Sequence, residues 1–423
     1  MNKAVIVDGV RTPFLKAGTI PDLSASEMAL TPVGELFKRY PKLKESCDCV
    51  VGANIGNQVL HPDGSNLARV ILLKAGLDPR IPAWTVNINC GSGLHAVLDA
   101  VKNVELGLYK CILVVASEVM SDYVAVYNRQ QRAQFAKLYE VSRKKAPMWR
   151  RLPSLMKEWT KMKMMPHKPE WSIKIGLTDP VCKLGMDEIA DQIAEEYKIS
   201  REEQDLFALE SQRRAKAATL SGRLKHEIVP FRGIDQDNGI RFDQNLSALS
   251  KLRPLHKGGT VTPGNSSQIT DGAVALMVVN EELAKKNGWP LLATMYSRFS
   301  SIGGCVPERM GLGPVQAIKQ IFSHDWSTLD DIDVIETNEA FAAVVLAQQK
   351  EFELVKDNFG RLSPEKVNRN GGAIALGHPI SASGARLVLT CAKELELTGA
   401  TSGLVTLCVG GGQGVAACLE RGE

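Results

Sequence analysis

A layered α/β fold made of two similar halves is what this chain of 423 residues predicts, on three observations. Short apolar runs rich in β-branched residues alternate with helical patterns, which implies α/β layers with mostly parallel central strands. Cys90-Gly91-Ser92-Gly93 opens one helix and Ser381-Ala382-Ser383-Gly384 opens another 291 positions later. The same offset lays a strand at 111–117 onto one at 402–408, as an internal duplication would. The stretch from Ser121 to Arg253 has no counterpart in the second half and reads as an insertion. The chain then divides into a first half at 1–120 continued at 254–283, an inserted segment at 121–253, and a second half at 284–423.

In order along the chain, buried strands are expected over 2–8, 49–53, 111–117, 274–279, 291–296, 334–336, 404–408 and 415–419, each apolar and bounded by Gly, Asp, Asn or Pro. Helical periodicity predicts helices over 93–106, 186–197, 201–220, 340–354 and 382–397. Hydrophobic residues at 44% and charged residues at 23% exclude wholesale disorder. No run approaches the roughly 18 apolar residues of a spanning helix, and Met1-Asn2-Lys3-Ala4-Val5-Ile6 reads as a strand rather than a targeting segment. Nine scattered cysteines give no disulfide framework, so a reducing cytoplasm is the expected compartment.

The net charge of +4 conceals an asymmetry: between Arg129 and Lys174 stand 13 Lys or Arg and 3 acidic residues, with 5 of the 12 Met and 3 of the 6 Trp. A uniformly basic nucleic-acid binder would not look like this, and no nucleic acid is expected as a partner. Met148, Trp149, Leu152, Leu155, Met156, Trp159, Met162 and Met165 follow helical spacing, with Pro153 expected to interrupt the helix. Such a segment can be a solvated face, an attraction for phosphates, or an amphipathic helix on anionic lipid or a partner subunit.

Four stretches could carry chemistry. In Asn89-Cys90-Gly91-Ser92-Gly93 a cysteine stands at a helix entrance, where backbone N–H groups favour thiolate over thiol, though a buried core cysteine is the plainer reading. In Gly377-His378-Pro379 a histidine in a Gly-rich setting, just before a helix, can take a proton from a thiol or donate to an oxyanion. In Leu407-Cys408-Val409-Gly410-Gly411-Gly412 a strand delivers a second cysteine to a turn whose N–H groups can converge on an oxyanion. The spacing is not G-x-G-x-x-G and a strand follows, which argues against a nucleotide loop. In Thr337-Asn338-Glu339-Ala340 the asparagine could equally be a helix N-cap. Cys47-Asp48-Cys49 lacks a second pair, so no metal site is expected. Two cysteines, one histidine and one asparagine at strand ends and helix starts are together the ingredients of acyl transfer through a thioester.

On Cys90-Gly91-Ser92, Asn338-Glu339-Ala340-Phe341, Gly377-His378-Pro379 and Cys408-Val409-Gly410, in that order, the chain resembles the thiolase family over nearly its whole length. Lys251-Leu252-Arg253-Pro254 and Val261-Thr262-Pro263-Gly264-Asn265-Ser266-Ser267 also look like family motifs, the second with Ser267 near the coenzyme A pantetheine. The resemblance implies a thiolase fold of two duplicated βαβαβαββ halves in five layers with an inserted loop domain. It implies an acetyl-CoA C-acyltransferase that cleaves 3-oxoacyl-CoA with coenzyme A, as in fatty acid β-oxidation, with coenzyme A as substrate and no tightly bound cofactor. Cys90 would be the nucleophile, Cys408 the acid and base, and His378 the activator of Cys90. His378 with a water on Asn338 would form one oxyanion hole, and the N–H groups of Cys90 and Gly410 the second, with Gly410 also on the substrate. A homodimer or homotetramer is implied.

The long basic insertion and Gly176-Leu177-Thr178-Asp179-Pro180 look like the thiolase subunit of the fatty-acid oxidation trifunctional complex, which points to a hydratase/dehydrogenase subunit or a membrane surface as partner of residues 129–174. That subfamily usually begins the second motif with His where this chain has Asn338. The biosynthetic acetoacetyl-CoA enzymes often carry a His-Met pair in the insertion, and Lys183-Leu184-Gly185-Met186 does not match it. The alternatives are an acetyl-CoA C-acetyltransferase acting on acetoacetyl-CoA and, in another class, a non-catalytic lipid-binding or scaffolding thiolase-like protein. A decarboxylating ketoacyl synthase is disfavoured by Cys408 in its glycine setting.

Overall fold

The computed structural model describes the chain except residues 1, 57–62, 64–65, 123, 165–168, 324–327, 355–358 and 423. Met1–Asp122 with Asp179–Glu423 forms one compact unit, and Tyr123–Thr178 forms another. In the larger unit the strands are β1 Ala4–Arg11, β2 Cys49–Ala53, β3 Ala83–Val86, β4 Cys111–Glu118, β5 Thr270–Asn280, β6 Ala293–Gly304, β7 Val334–Thr337, β8 Ser402–Val409 and β9 Gln413–Arg421. The longer helices are α1 Ala25–Arg39, α2 Leu67–Lys74, α3 Ser92–Glu105, then α4 Arg129–Arg143 and α5 Met148–Met164 in the smaller unit, then α6 Met186–Glu196, α7 Arg201–Leu220, α8 Gly313–Phe322, α9 Ala342–Leu354 and α10 Ile380–Thr398.

The duplication is visible in the strand order. The first half runs β1-β5-β4-β2-β3 and the second β6-β9-β8-β7, so β1 answers to β6, β4 to β8 and β5 to β9. The halves meet where Val5 and Ile6 of β1 pair with Thr294 and Ala293 of β6. The expectation of mostly parallel central strands is corrected: β5 is antiparallel to both β1 and β4, and β9 to both β6 and β8. Among these strands, parallel pairing is confined to β2 with β3 and β4, and to β7 with β8. Parallel neighbours need a crossover of a dozen or more residues, whereas β8 and β9 are joined only by Gly410, Gly411 and Gly412, which forces an antiparallel hairpin. The same position between β4 and β5 of the first half accommodates residues 119–269.

Among the described residues, the three larger apolar cores fix five layers. α1 and α2 pack on the outer face of the first sheet, α6, α8 and α9 on the outer face of the second, and α3 with α10 fill the space between the sheets. α3 and α10 touch through glycine: a Cβ on Gly93 would lie 2.4 Å from the Ser381 carbonyl oxygen, and one on Gly384 2.4 Å from Leu94 N. The entrances of both helices are thereby brought together, and with them the segments before Ser92 and Ile380.

Within the smaller unit α4 and α5 pair, with Gln134 Nε2 donating to the Glu158 carbonyl at 2.9 Å and carboxylate at 2.7 Å. Helix α5 runs unbroken through Pro153, against expectation. Proline removes the hydrogen bond to the carbonyl four residues back, here that of Trp149, an exposed residue whose carbonyl water can serve. The apolar stripe also divides. Met162 is buried and Leu155 half-buried, whereas Met148, Trp149, Leu152, Met156 and Trp159 are exposed. Met165 lies outside the described residues. No helix among the described residues is long and apolar enough to cross a membrane.

Candidate active site

Cys90 sits in the turn between β3 and α3, which Ser92 locks by accepting from Ile88 N at 2.9 Å and donating to the Asn89 carbonyl at 2.6 Å. Asn89 adopts φ +52°, a left-handed conformation tolerated by asparagine. Its Nδ2 donates to the Gly410 carbonyl at 2.9 Å, pinning the glycine turn after β8 against the Cys90 turn. The backbone N–H groups of Gly410 and of Cys90 itself act on the Cys90 thiol to lower it. These dipoles do not win. Although the residue keeps some surface open, its thiol is desolvated and pushed up to about 11, so the resting group is a thiol, not the thiolate expected from a helix entrance alone.

Cys408 is the last residue but one of β8, buried at 2% exposure, opposite Gly414 of β9. Burial raises its thiol well above the ordinary cysteine range, and the nearby charge of Cys90 raises it further. The charge of Cys90 thus acts on Cys408, so an ionised Cys90 helps Cys408 keep its proton.

His378 is held from three sides. Its backbone N–H donates to the Gln268 carbonyl at 3.1 Å, its Nδ1 lies 2.6 Å from Ser383 Oγ, and its Nε2 lies 3.4 Å from Asn338 Nδ2. Ser383 Oγ donates to the Pro379 carbonyl at 3.0 Å, which leaves that oxygen to accept from His378. The proton therefore sits on Nδ1, and Nε2 presents a lone pair. Burial, helped by the charge of Arg386, lowers the imidazole to about 4, so the ring is neutral near pH 7. Gly377 before it has φ +106° and no room for a Cβ, which would approach Thr270 Cγ2 to 2.4 Å.

Asn338 is no N-cap. It follows β7, and α9 begins four residues later at Ala342. Its N–H donates to the Thr406 carbonyl at 3.0 Å, two residues before Cys408, and its side chain turns to His378. Asn338 Oδ1 is buried without a partner among the described residues, an acceptor suited to a bound water.

Ser267 lies on a strap that ties the site together. Its N–H donates to the Ala340 carbonyl at 2.9 Å, while the next residue, Gln268, receives His378 and donates through Nε2 to the carbonyls of Gly239 and Ile374 at 3.0 Å. Cys47 is buried in the outer core of the first half and Cys49 in the core between the layers, and no group of three metal-ligating side chains occurs among the described residues.

Residues 4–282 match the family described as thiolase, N-terminal domain, and residues 290–421 the thiolase, C-terminal domain. The chain belongs to the thiolase family. Across 98% of both chains it is 38% identical to the β-ketoadipyl-CoA thiolase of Pseudomonas knackmussii. It is 36% identical to an acetyl-CoA acetyltransferase of Chromobacterium violaceum, over 96% of this chain and 95% of that one. Among solved structures, the human mitochondrial 3-ketoacyl-CoA thiolase in complex with CoA matches with a TM-score of 0.85 at 31% identity, over 99% of this chain and 98% of that one. The acetyl-CoA acetyltransferase of Bacillus anthracis matches equally well, at 0.85 and 31%, over 100% and 99%. The chain is thus an acyltransferase of the thiolase type.

Composition does not mark Asn89, Gln268 and Ser383, whose partners lie far away in the chain or one helical turn on. Met186 is another: read only for its lack of a histidine neighbour, it begins α6 and approaches the Gly410 turn, its Cε 3.7 Å from where a Cβ of Gly410 would be.

Proposed function

We propose that this chain catalyses thiolysis of a 3-oxoacyl-CoA by coenzyme A through an acyl thioester on Cys90. The observation that carries this is the bond from Asn89 Nδ2 to the Gly410 carbonyl at 2.9 Å, which ties the turn holding Cys90 to the turn that follows the buried Cys408. His378 Nε2 takes the Cys90 proton and the sulfur attacks the keto carbon. The bond between C2 and C3 breaks, leaving its electron pair on C2 as the enolate of acetyl-CoA. Cys408 protonates C2. Incoming coenzyme A gives its thiol proton to Cys408, its sulfur attacks the acyl-Cys90 carbonyl, and Cys90 leaves and recovers the proton held by His378. His378 and a water on Asn338 would stabilise one oxyanion and the N–H groups of Cys90 and Gly410 the other, each such donor being worth about 3 kcal/mol in related sites. Ser267 would line the pantetheine path.

A degradative enzyme of medium or long chain range is the preferred reading, since Gly185-Met186 lacks the His-Met pair of acetoacetyl-CoA enzymes. The names of the relatives keep an acetyl-CoA C-acetyltransferase as the second reading. Loss of keto-thioester absorbance would be followed with acetoacetyl-CoA, 3-oxoadipyl-CoA and a long-chain 3-oxoacyl-CoA, each with free coenzyme A. Cleavage of the long substrate is expected. Turnover of acetoacetyl-CoA alone favours the second reading, and turnover of none favours a non-catalytic protein.

The segment 129–174 has a reading of its own as a surface for anionic lipid. Met148, Trp149, Leu152, Met156 and Trp159 stand exposed on α5, and Arg143, Lys144, Lys145, Arg150 and Arg151 crowd the α4–α5 turn. Exposed Trp and Met beside clustered cations match a negatively charged bilayer interface in both chemistry and charge.

A further inference from the structure

One buried ion pair near the site has no role in the steps above. Arg386 Nη1 donates to Glu336 Oε2 at 3.1 Å, and both side chains are wholly buried. Glu336 lies on β7, two residues before Asn338, and Arg386 on α10, one turn after Ser383. The pair thus joins the strand that presents Asn338 to the helix that orients His378. It is also poorly made as a structural contact. Glu336 Oε1, Arg386 Nε and Arg386 Nη2 have no hydrogen-bond partner among the described residues. A buried pair held by one contact contributes little net stability, and well-packed apolar residues of similar volume usually do as well. Buried polar atoms left unpartnered call for another explanation.

We propose that Arg386 is a positioning residue for acyl transfer: through Glu336 it registers the Asn338 strand against the Ser383 helix, and its fixed charge sets the environment in which His378 accepts the Cys90 proton. The electrostatics agree, since Arg386 is the charged group that depresses His378 beyond the effect of burial. The remaining charged groups near the pair are Glu227, Arg223 and Glu394, which act on Glu336, and Glu339, which feels Arg386. Arg223 is itself paired to Glu227 at 2.8 Å and Glu394 at 3.0 Å, so those charges are largely compensated. Burial raises Glu336 and Arg386 opposes that rise, so the carboxylate offsets the Arg386 charge only in part.

The inference rests on the acyl-transfer reading, and the experiment separates the two. Acylation of Cys90 by acetyl-CoA would be followed by rapid quench and intact mass between about pH 4 and 8, where the acid limb reports the proton acceptor. In wild type the limb is expected near the low His378 value, below the ordinary histidine range. Arg386→Gln should raise the limb by roughly half a unit or more and slow acylation about tenfold or more, while Arg386→Lys, which keeps the charge, should hold the limb near wild type. If Arg386→Gln does not fold, the double variant Glu336→Gln/Arg386→Met replaces the pair with a neutral one and should raise the limb likewise. A folded charge-removing variant with an unmoved limb, or Arg386→Lys shifting as far as Arg386→Gln, overturns the assignment. Wild type that never acylates overturns the acyl-transfer reading instead.

Discussion

His378 Nδ1 and Ser383 Oγ stand 2.6 Å apart, and the serine hydroxyl is itself committed to the Pro379 carbonyl at 3.0 Å. One hydroxyl on the first turn of α10 therefore decides which ring nitrogen carries the proton. Ser383→Ala frees the ring to adopt the other tautomer, which cannot accept from Cys90. The expected outcome is a fall in kcat of about tenfold to a hundredfold, the worth of one buried hydrogen bond to the reacting state, with KM little changed. Steady-state kinetics on the folded variant checks it.

The two cysteines should separate cleanly by mass spectrometry. Cys90→Ala is expected to form no acyl adduct from a simple acyl-CoA, whereas Cys408→Ala should still be acylated but fail to complete turnover. An adduct of acyl mass on Cys90→Ala would refute the choice of nucleophile.

The buried neutral imidazole makes stability depend on pH. The folded value of His378, about 4, lies below that of an unfolded histidine, 6.5. Between those values the unfolded chain binds the extra proton, so stability is full above 6.5 and is lost as pH falls toward 4. Relative to His378→Gln, wild type should lose about 3 kcal/mol across that window. Urea midpoints of the two proteins, compared pH by pH, read the difference with the other titrations cancelled.

Contact between α3 and α10 leaves no space for a side chain at Gly384. Gly384→Ala should drive a methyl into the backbone of Leu94 and destabilise the chain by about 1–3 kcal/mol or more. Because the same contact juxtaposes the Cys90 and His378 turns, activity should fall further than the loss of folded protein explains. Thermal melting beside specific activity tests both.

The lipid reading of the α4–α5 turn predicts co-flotation with vesicles rich in anionic lipid, weakening as salt rises, and none with neutral vesicles. Replacing Trp149, Met156 and Trp159 together with serine should abolish flotation while leaving thiolysis intact. Flotation unchanged in that variant would sink the idea.

Local chemistry was enough to read the alternation of strands and helices and the repeated helix openings, and Gly-rich turns and helix entrances single out Cys90, His378 and Cys408 as candidates by composition, while the roles assigned to them and to Asn338 come from the family resemblance. The insertion between β4 and β5 could be recognised in the same way, as sequence without a counterpart. Strand direction could not, since an apolar run looks alike whichever way its neighbour points, and it was the three-residue link from β8 to β9 that made the centre of the second half antiparallel. The protonation of Cys90 also waited on the fold: a helix entrance favours a thiolate, but desolvation by the assembled site outweighs those dipoles. Nor could spacing reveal that Ser383, Asn89 and Gln268 hold the reacting groups, or that Glu336 and Arg386 meet. Asn89 and Gln268 reach their partners only when the two halves pack, whereas Ser383 meets His378 through one helical turn and Glu336 meets Arg386 where β7 packs on α10 within the second half.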